Sequence, residues 1–315
     1  MGAKREEVVL EPSAGFDGAV INVGNKSLIV SMDPITGAME RIGWLAVNIN
    51  ANDIATFGVQ PSLFASCILL PENGDKKTLE TICVQMDKAA KDLGIAIIGG
   101  HCEVTPSLIN PIVIGCAMGM AEKGKYVTAG DAKPGDKLVL TKSVGIEGTA
   151  ILATEKTKQL KKALDSAILQ SAKKFYNKIS VVKDALIAVK TGGVHAMHDP
   201  TEGGVSGGIH EMAEASNVGF QIYEEKIPIQ PETRKICEYF KIDPLQLISS
   251  GALLISAKPE LAEKIVEKLK HNKINASVIG DFLENKREHR IIRKDGTIQT
   301  LPRPVSDHLW LALKI

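Results

Sequence analysis

Apolar positions along the chain change period several times. Ala19–Val23 and Ser27–Met32 alternate around Gly24-Asn25, the pattern of two strands joined by a tight turn. Glu40–Phe57 has helical spacing, with Ile42, Leu45, Ile49 and Ile54 on or near one face. Gly58 ends it and Pro61 follows. Ser62–Leu70 reads as a strand, and Lys77–Leu93 as an amphipathic helix stopped by Gly94. Ile95–Ile98 reads as a short buried strand, and Pro111–Met120 as a long β run. The texture changes over Glu122–Lys137, rich in Gly, Lys and Asp, so domains of residues 1–128 and 129–315 are expected. Beyond it, Lys137–Leu140 restarts a strand. Helices are expected near Glu147–Thr154, Gln159–Phe175 and Ile179–Lys190, and from Gly204 to about Ser216. Then come a helix near Glu232–Phe240, a strand at Ala252–Ser256 and a helix at Pro259–His271. Short strands at Ser277–Asp281 and His289–Ile292 close the second domain. Strands and helices alternate in both halves, which predicts an α/β or α+β architecture in two domains, with strand order open.

Composition narrows the function classes. The 315 residues are 44% hydrophobic and 24% charged, ordinary for a globular protein that needs no disulfide or metal to hold a core. Aromatics are 4%, too few for a stacking platform on single-stranded nucleic acid. Thirty-eight basic and 37 acidic residues leave a net charge of +1, so no global field draws the chain to nucleic acid or membrane. The basic stretches Lys156–Lys162 and Lys286–Lys294 read as solvated faces. Met1–Val8 is charged with no apolar region after it, and Glu6 spoils a myristoylation motif. The longest apolar run, Pro111–Ala121, is far below the ~20 residues of a spanning helix, so a cytoplasmic location is expected. The five cysteines lack any C-x-x-C pair, and Cys67, Cys83 and Cys116 read as small core residues.

Four polar stretches at element ends carry the candidate chemistry. In the first, Asp17 and Asp33 flank the first two strands, and Asn48, Asn52 and Asp53 sit in the first helix. Asn48 and Asn52 share a face. Such residues are poor helix formers, which leaves a solvent-facing stripe or a set of oxygen ligands for nucleotide-bound Mg²⁺. In the second, Gly99-Gly100-His101-Cys102-Glu103 offers a histidine and a carboxylate after two glycines. The third, His195 through Gly204, reads as a loop running into a helix N-terminus, where the N–H groups of Gly203 and Gly204 stand open to an anion. A transition-metal site from His101, Cys102, His195 and His198 is the weaker alternative. The fourth, Lys142 through Thr149, is a strand, turn and helix whose lysine and N–H groups suit a phosphate or a plain connection. Walker A, G-x-G-x-x-G and G-x-S-x-G patterns are missing.

In order, Gly15-Phe16-Asp17, Asp33-Pro34, Asn52-Asp53-Ile54-Ala55, Gly99-Gly100-His101, Gly145-Ile146-Glu147-Gly148 and Asp199 to Gly204 resemble the aminoimidazole ribonucleotide (AIR) synthase, or PurM-like, superfamily in its HypE-like, AIR synthase-related branch. The resemblance covers nearly the whole chain. It implies a two-domain PurM-like fold, in which an N-terminal sheet domain dimerises into a shared barrel and an α/β domain follows. It implies ATP and Mg²⁺ in a cleft between the domains near the dimer interface. ATP then activates an amide, carboxylate or phosphate oxygen of a small molecule by phosphorylation, with ligase, kinase or dehydratase outcomes. Asp17, Asp33 and Asp53 match the metal positions, and Asp53, His101 and Asp199 the catalytic ones. Asn52, Lys142, Glu147, Gly148, Gly203 and Gly204 match the nucleotide-proximal ones. His101 stands where an acidic residue is usual, so either Glu103 takes the metal or His101 meets phosphate. HypE proteins carry a C-terminal cysteine that is their own substrate. Here the last cysteine is Cys237, so tail self-modification is not expected, nor is selenophosphate synthesis without an early cysteine. A nucleotide-binding assembly partner with little turnover is the alternative. Trp310 and its leucine neighbours read as a short docking helix.

Overall fold

A computed structural model describes residues 2–11, 15–36 and 39–314. The chain forms two compact units. The first holds the described residues of 2–11 and 17–126, the second residues 15–16 and 127–314.

In the first unit, β1 (Val8–Leu10), β2 (Ala19–Val23) and β3 (Lys26–Ile35) precede α1 (Ile42–Thr56) and β4 (Pro61–Leu70). Then come α2 (Lys76–Leu93), β5 (Ala96–Val104) and β6 (Ile112–Glu122). The sheet runs β1-β2-β3-β6-β4-β5, antiparallel except for the β4–β5 pair, which α2 connects. On β3, Ser27, Ile29 and Ser31 are buried in alternation; on β6, Val113, Gly115, Ala117 and Gly119 are. That period of two turns one sheet face toward α1. α1 is buried along nearly its whole length, which explains its high apolar content. α2 covers its outer side. A Cβ on Gly43 would lie 2.4 Å from Ile82 O, so that glycine sets the close approach of the two helices. The opposite sheet face is open: Met32 and Met120 are 65% and 58% exposed.

β5 differs from its sequence-based reading. It is not a short buried strand followed by a turn. It runs through Gly99-Gly100 to Val104, and every residue in it is exposed. A bulge between Phe64 and Ala65 adjusts its register with β4. A Cβ on Gly100 would lie 2.0 Å from Ser66 O, so that glycine serves strand pairing rather than a turn. Cys83 is exposed, and Cys67 and Cys116 are half-buried, so none of the three is a full core residue.

The second unit begins with β7 (Lys137–Thr141), α3 (Ile146–Glu155), α4 (Thr157–Leu160), α5 (Ser166–Lys173) and α6 (Val182–Thr191). β8 (Val194–His198), α7 (Gly204–Ala215), β9 (Gly219–Tyr223), α8 (Pro231–Phe240) and β10 (Leu254–Ala257) follow. It ends with α9 (Pro259–His271), β11 (Ala276–Leu283), β12 (His289–Ile292), β13 (Ile298–Thr300) and α10 (His308–Lys314). The sheet order is β13-β12-β9-β11-β7-β10-β8, with only β9–β12 parallel. Leu138, Leu140, Phe220 and Phe282 are fully buried. The helix expected over Gln159–Phe175 is broken, because Asp165 takes an extended backbone ahead of α5. Trp310 is 46% exposed; Leu309 and Ala312 are the buried side chains of α10.

Candidate functional site

In the first unit, the polar residues of α1 face inward. Asn48, Asn50, Asn52 and Asp53 are all buried, which removes the solvent-facing reading. Buried polar groups of this kind need partners. Asn48 Nδ2 donates to Trp44 O at 2.9 Å. Asp53 Oδ2 accepts the Ser31 hydroxyl at 2.6 Å. Asn50 grips β3 from both sides: its Oδ1 accepts Asp33 N–H at 2.8 Å, and its Nδ2 donates to Asp33 O at 3.3 Å and to Ala46 O at 2.9 Å. Gly115 makes room for this, since a Cβ there would sit 2.4 Å from Asn50 Nδ2. The register Ala19↔Val30 runs β2 alongside β3, and a Cβ on Gly18 would touch Val30 O and Ser31. Asp17 therefore stands near the Ser31–Asp33 stretch. Asp33 lies on β3, Asp53 reaches that strand through Ser31, and Asp17 lies just before the strand paired with it. Their hard oxygen donors suit Mg²⁺. Ser31 and Asn50 escaped the sequence reading. The signal available was Asn50 falling between Asn48 and Asn52 in an otherwise apolar helix.

His101 and Glu103 lie elsewhere in this unit. They point the same way from β5, with Nε2 and Oε2 3.2 Å apart, both more than half exposed. β6 and β4 separate β5 from β3, a span of roughly 14 Å at ordinary strand spacing. Within one chain, neither joins the Asp33 and Asp53 carboxylates.

In the second unit, strand register gathers the remaining candidates. β10 pairs antiparallel with both β7 and β8, and Leu254 lies opposite Leu140 and His198. The segments after β7 and β8 and the one before β10 therefore meet at one sheet end. Lys142, just past β7, has a left-handed backbone with φ 55°. Its ammonium donates to Asp184 Oδ2 at 2.7 Å, Ser180 O at 2.9 Å and Gly251 O at 2.7 Å. Those three bonds use all three protons, so the lysine is a structural clamp and not an open phosphate ligand. Burial pulls its pKa down, opposed by Asp184.

The glycines are occupied as well. Gly148 N–H donates to Ile248 O, and a Cβ there would collide with Leu247. Gly203 N–H donates to Asp307 Oδ2 at 2.7 Å, and Gly204 N–H to Thr201 O at 2.9 Å. The expected open anion nest is filled by the chain's own carboxylate, a residue that sequence reasoning missed. Burial raises the Asp307 pKa against the N–H groups of Leu309, Gly203 and Ile248.

Glu147, in the first turn of α3, is buried with Oε2 unpartnered, and Ser250 Oγ is unpartnered too. Burial pushes its carboxyl up to about 7. The Ser250 hydroxyl, nearby but short of hydrogen-bond geometry, offsets this in part, and Glu202 and Asp307 add to the rise. Asp199 follows β8 and is buried. His195 and His198 belong to β8 rather than to a loop. They serve different carboxylates: His195 Nδ1 lies 2.8 Å from Asp136 Oδ2, and His198 Nε2 lies 2.8 Å from Glu211 Oε2. This splits the pair that the transition-metal reading needed.

Residues 15–121 match the model of the N-terminal domain of AIR synthase related proteins, and residues 133–293 match that of the C-terminal domain. A putative hydrogenase expression/formation protein of Methanocaldococcus jannaschii is 30% identical over 84% of this chain and 78% of its own length. Carbamoyl dehydratase HypE of Rhizobium leguminosarum bv. viciae is 30% identical over 80% of this chain and 72% of its own. Among solved structures, HypE in a HypE–HypF complex superposes with a TM-score of 0.79 at 25% identity, covering 90% of this chain and 93% of that one. HypE in complex with ATP superposes with a TM-score of 0.78 at 23% identity, covering 93% and 89%, a likeness of fold. With both domain models matched in order and the fold shared with HypE, the chain belongs to the AIR synthase related family, with the two-domain PurM-like fold.

Proposed function

We propose that this protein is an ATP- and Mg²⁺-dependent enzyme that activates an amide, carboxylate or phosphate oxygen of a small molecule by phosphorylation. The observation that carries the reading is the buried polar set on α1 and β3. Burying Asp53 and Asn52 in an apolar helix is costly, and β3 is held by Asn50 without them. HypE relatives and a HypE–ATP structure of the same fold support ATP as the ligand. Asp17, Asp33 and Asp53 would hold the metal, with Asn50 fixing the β3 backbone behind Asp33 and Ser31 orienting Asp53. Bound Mg²⁺ supplies neutralisation of phosphate charge during transfer. Glu147, held near neutrality, suits proton exchange with an acceptor at physiological pH. Asp199 is the second-unit acid of the same reading. Lys142 and the turns at Gly148 and Gly203-Gly204 shape that end of the sheet from behind.

We further propose a homodimer joined at β5, whose exposed edge and the open sheet face beside it are what a second copy would cover. His101 and Glu103 would then reach a site only through that partner. A nucleotide-binding assembly protein with little turnover is the second reading, favoured by the HypE–HypF complex among the structural relatives.

Calorimetric titration of ATP with and without Mg²⁺ on wild type and Asp53→Asn is the test. Mg²⁺-dependent binding, weakened at least about 100-fold in the variant, is expected for loss of a charged ligand in a dry site. Equal binding in both proteins would sink the assignment. Binding without phosphate release in the presence of candidate acceptors would favour the assembly reading.

A further inference from the structure

A cavity lined wholly by residues of the second unit, Lys142 among them, is given no ligand by the nucleotide proposal. Its volume is about 310 Å³. Lys142 and Asp184 form a buried wall, with side chains 15% and 2% exposed. Thr141 Oγ1 also donates to that Asp184 oxygen at 2.8 Å, so one carboxylate oxygen takes both bonds and Asp184 is paired with Lys142. Three more lysines, Lys178, Lys183 and Lys273, line the opening. Among the described residues none of the three ion-pairs with a carboxylate; Lys178 Nζ lies 4.1 Å over the Phe175 ring, and Glu232 acts on it only from a distance. Asp184 compensates Lys142, so the lining carries three further ammonium groups with no carboxylate of their own.

The backbone around the cavity is unusual. Lys142 and Lys273, both in its lining, are left-handed with φ of 55° and 63°. At Lys273 this is the turn that ends α9, where Ile274 N–H donates to Leu269 O; Lys142 has no helix to end, and its left-handed backbone persists where surrounding structure enforces it. Lys142 N–H donates to Asn275 O at 2.6 Å, which ties its segment to the one that follows α9. Repulsion among uncompensated ammonium groups around one concavity is unfavourable until an anion enters. Asn177, Gln230 and Asn275 add side-chain amides that can pair with hydroxyl or carbonyl groups.

We infer that this cavity is a binding site for a small phosphorylated metabolite, its phosphate held by Lys178, Lys183 and Lys273 and its organic part by the amides. The volume suits a ligand of sugar-phosphate size. The lysine site needs no metal, which separates its failure from failure of the Mg²⁺ nucleotide site.

The test is calorimetric titration of the full chain with ribose 5-phosphate and, separately, inorganic phosphate, both in EDTA. Three proteins are compared: wild type, Lys183→Glu/Lys273→Glu, and a control with the same charge change in the first unit, Lys88→Glu/Lys123→Glu. Wild type should bind ribose 5-phosphate about ten-fold more tightly than inorganic phosphate, and the cavity variant should lose about ten-fold or more while the control does not. Single Lys183→Gln, an exposed neutral change, should weaken binding in the same direction if the double variant fails to fold. Four results would each overturn the assignment: no binding by wild type, equal loss in the control, unchanged affinity in the cavity variants, or equal affinity for free phosphate.

Discussion

Glu147 shows how far one residue's surroundings can set its charge. Its carboxyl is pushed from an ordinary 4.5 to about 7 by burial. Because the folded value lies above the unfolded one, its stabilising contribution is complete below pH 4.5 and is lost as pH rises through 7. The shift corresponds to about 3 kcal/mol. Glu147→Gln should therefore match wild type in acid and exceed it by up to that amount at pH 8.5, as read by denaturant unfolding across pH. A stability gap that does not grow with pH would show that the carboxyl titrates normally. Asn50 is the complementary case. Asn50→Leu keeps the volume but strands the Asp33 N–H and C=O, which should cost about 1–3 kcal/mol in unfolding free energy and weaken Mg²⁺-dependent ATP binding together. The α1 asparagines were visible in the sequence as poor helix formers. Their inward direction was not, because a helix buried all round has no polar face to mark.

At the scale of elements, α1 and β5 invert what their sequences suggest. α1 carries four amide or acid side chains and is buried; β5 carries Ile97 and Ile98 and is exposed. The reason lies in neighbours. α1 is covered by β3, β6 and α2, whereas β5 is the last strand of its sheet. Gly100 of β5 is there for pairing. Gly100→Ala would drive a Cβ to 2.0 Å from Ser66 O at φ 155°. Faster amide exchange along β5 and a lower melting temperature should follow, while the α1 amides stay protected. Uniform protection in the variant would contradict this account. Lys142 makes the same point. A lysine before a glycine turn reads as a phosphate ligand, but three acceptors from distant segments had to assemble before its protons could be counted.

For the whole molecule, the open edge is the feature with the widest consequence. Ile97 and Ile98 are 42% and 54% exposed on a strand with one unpaired side. Ile98→Lys should shift a β5-joined dimer to monomer in sedimentation equilibrium, since a charge at an unpaired edge blocks strand addition. Activity should fall with it if His101 and Glu103 act across the seam. A dimer that survives the change would place the interface elsewhere. Among the described residues no helix is long and apolar enough to cross a membrane, in line with the short apolar runs.

The family and the two-domain α/β plan were legible in the chain because they rest on short-range signals. These are the periodicity of Lys77–Leu93 and Pro259–His271, and acidic and glycine motifs kept in order. Asp17, Asp33 and Asp53 were nominated by the same ordered motifs. Only the tertiary structure decided which polar groups remain available. Strand order set His101 and Glu103 apart from the aspartates, and Asp307, 104 residues away, filled the Gly203 turn. Hydrogen-bond partners and desolvation are properties of the assembled neighbourhood, so local sequence could nominate those groups and could not say which were already spent.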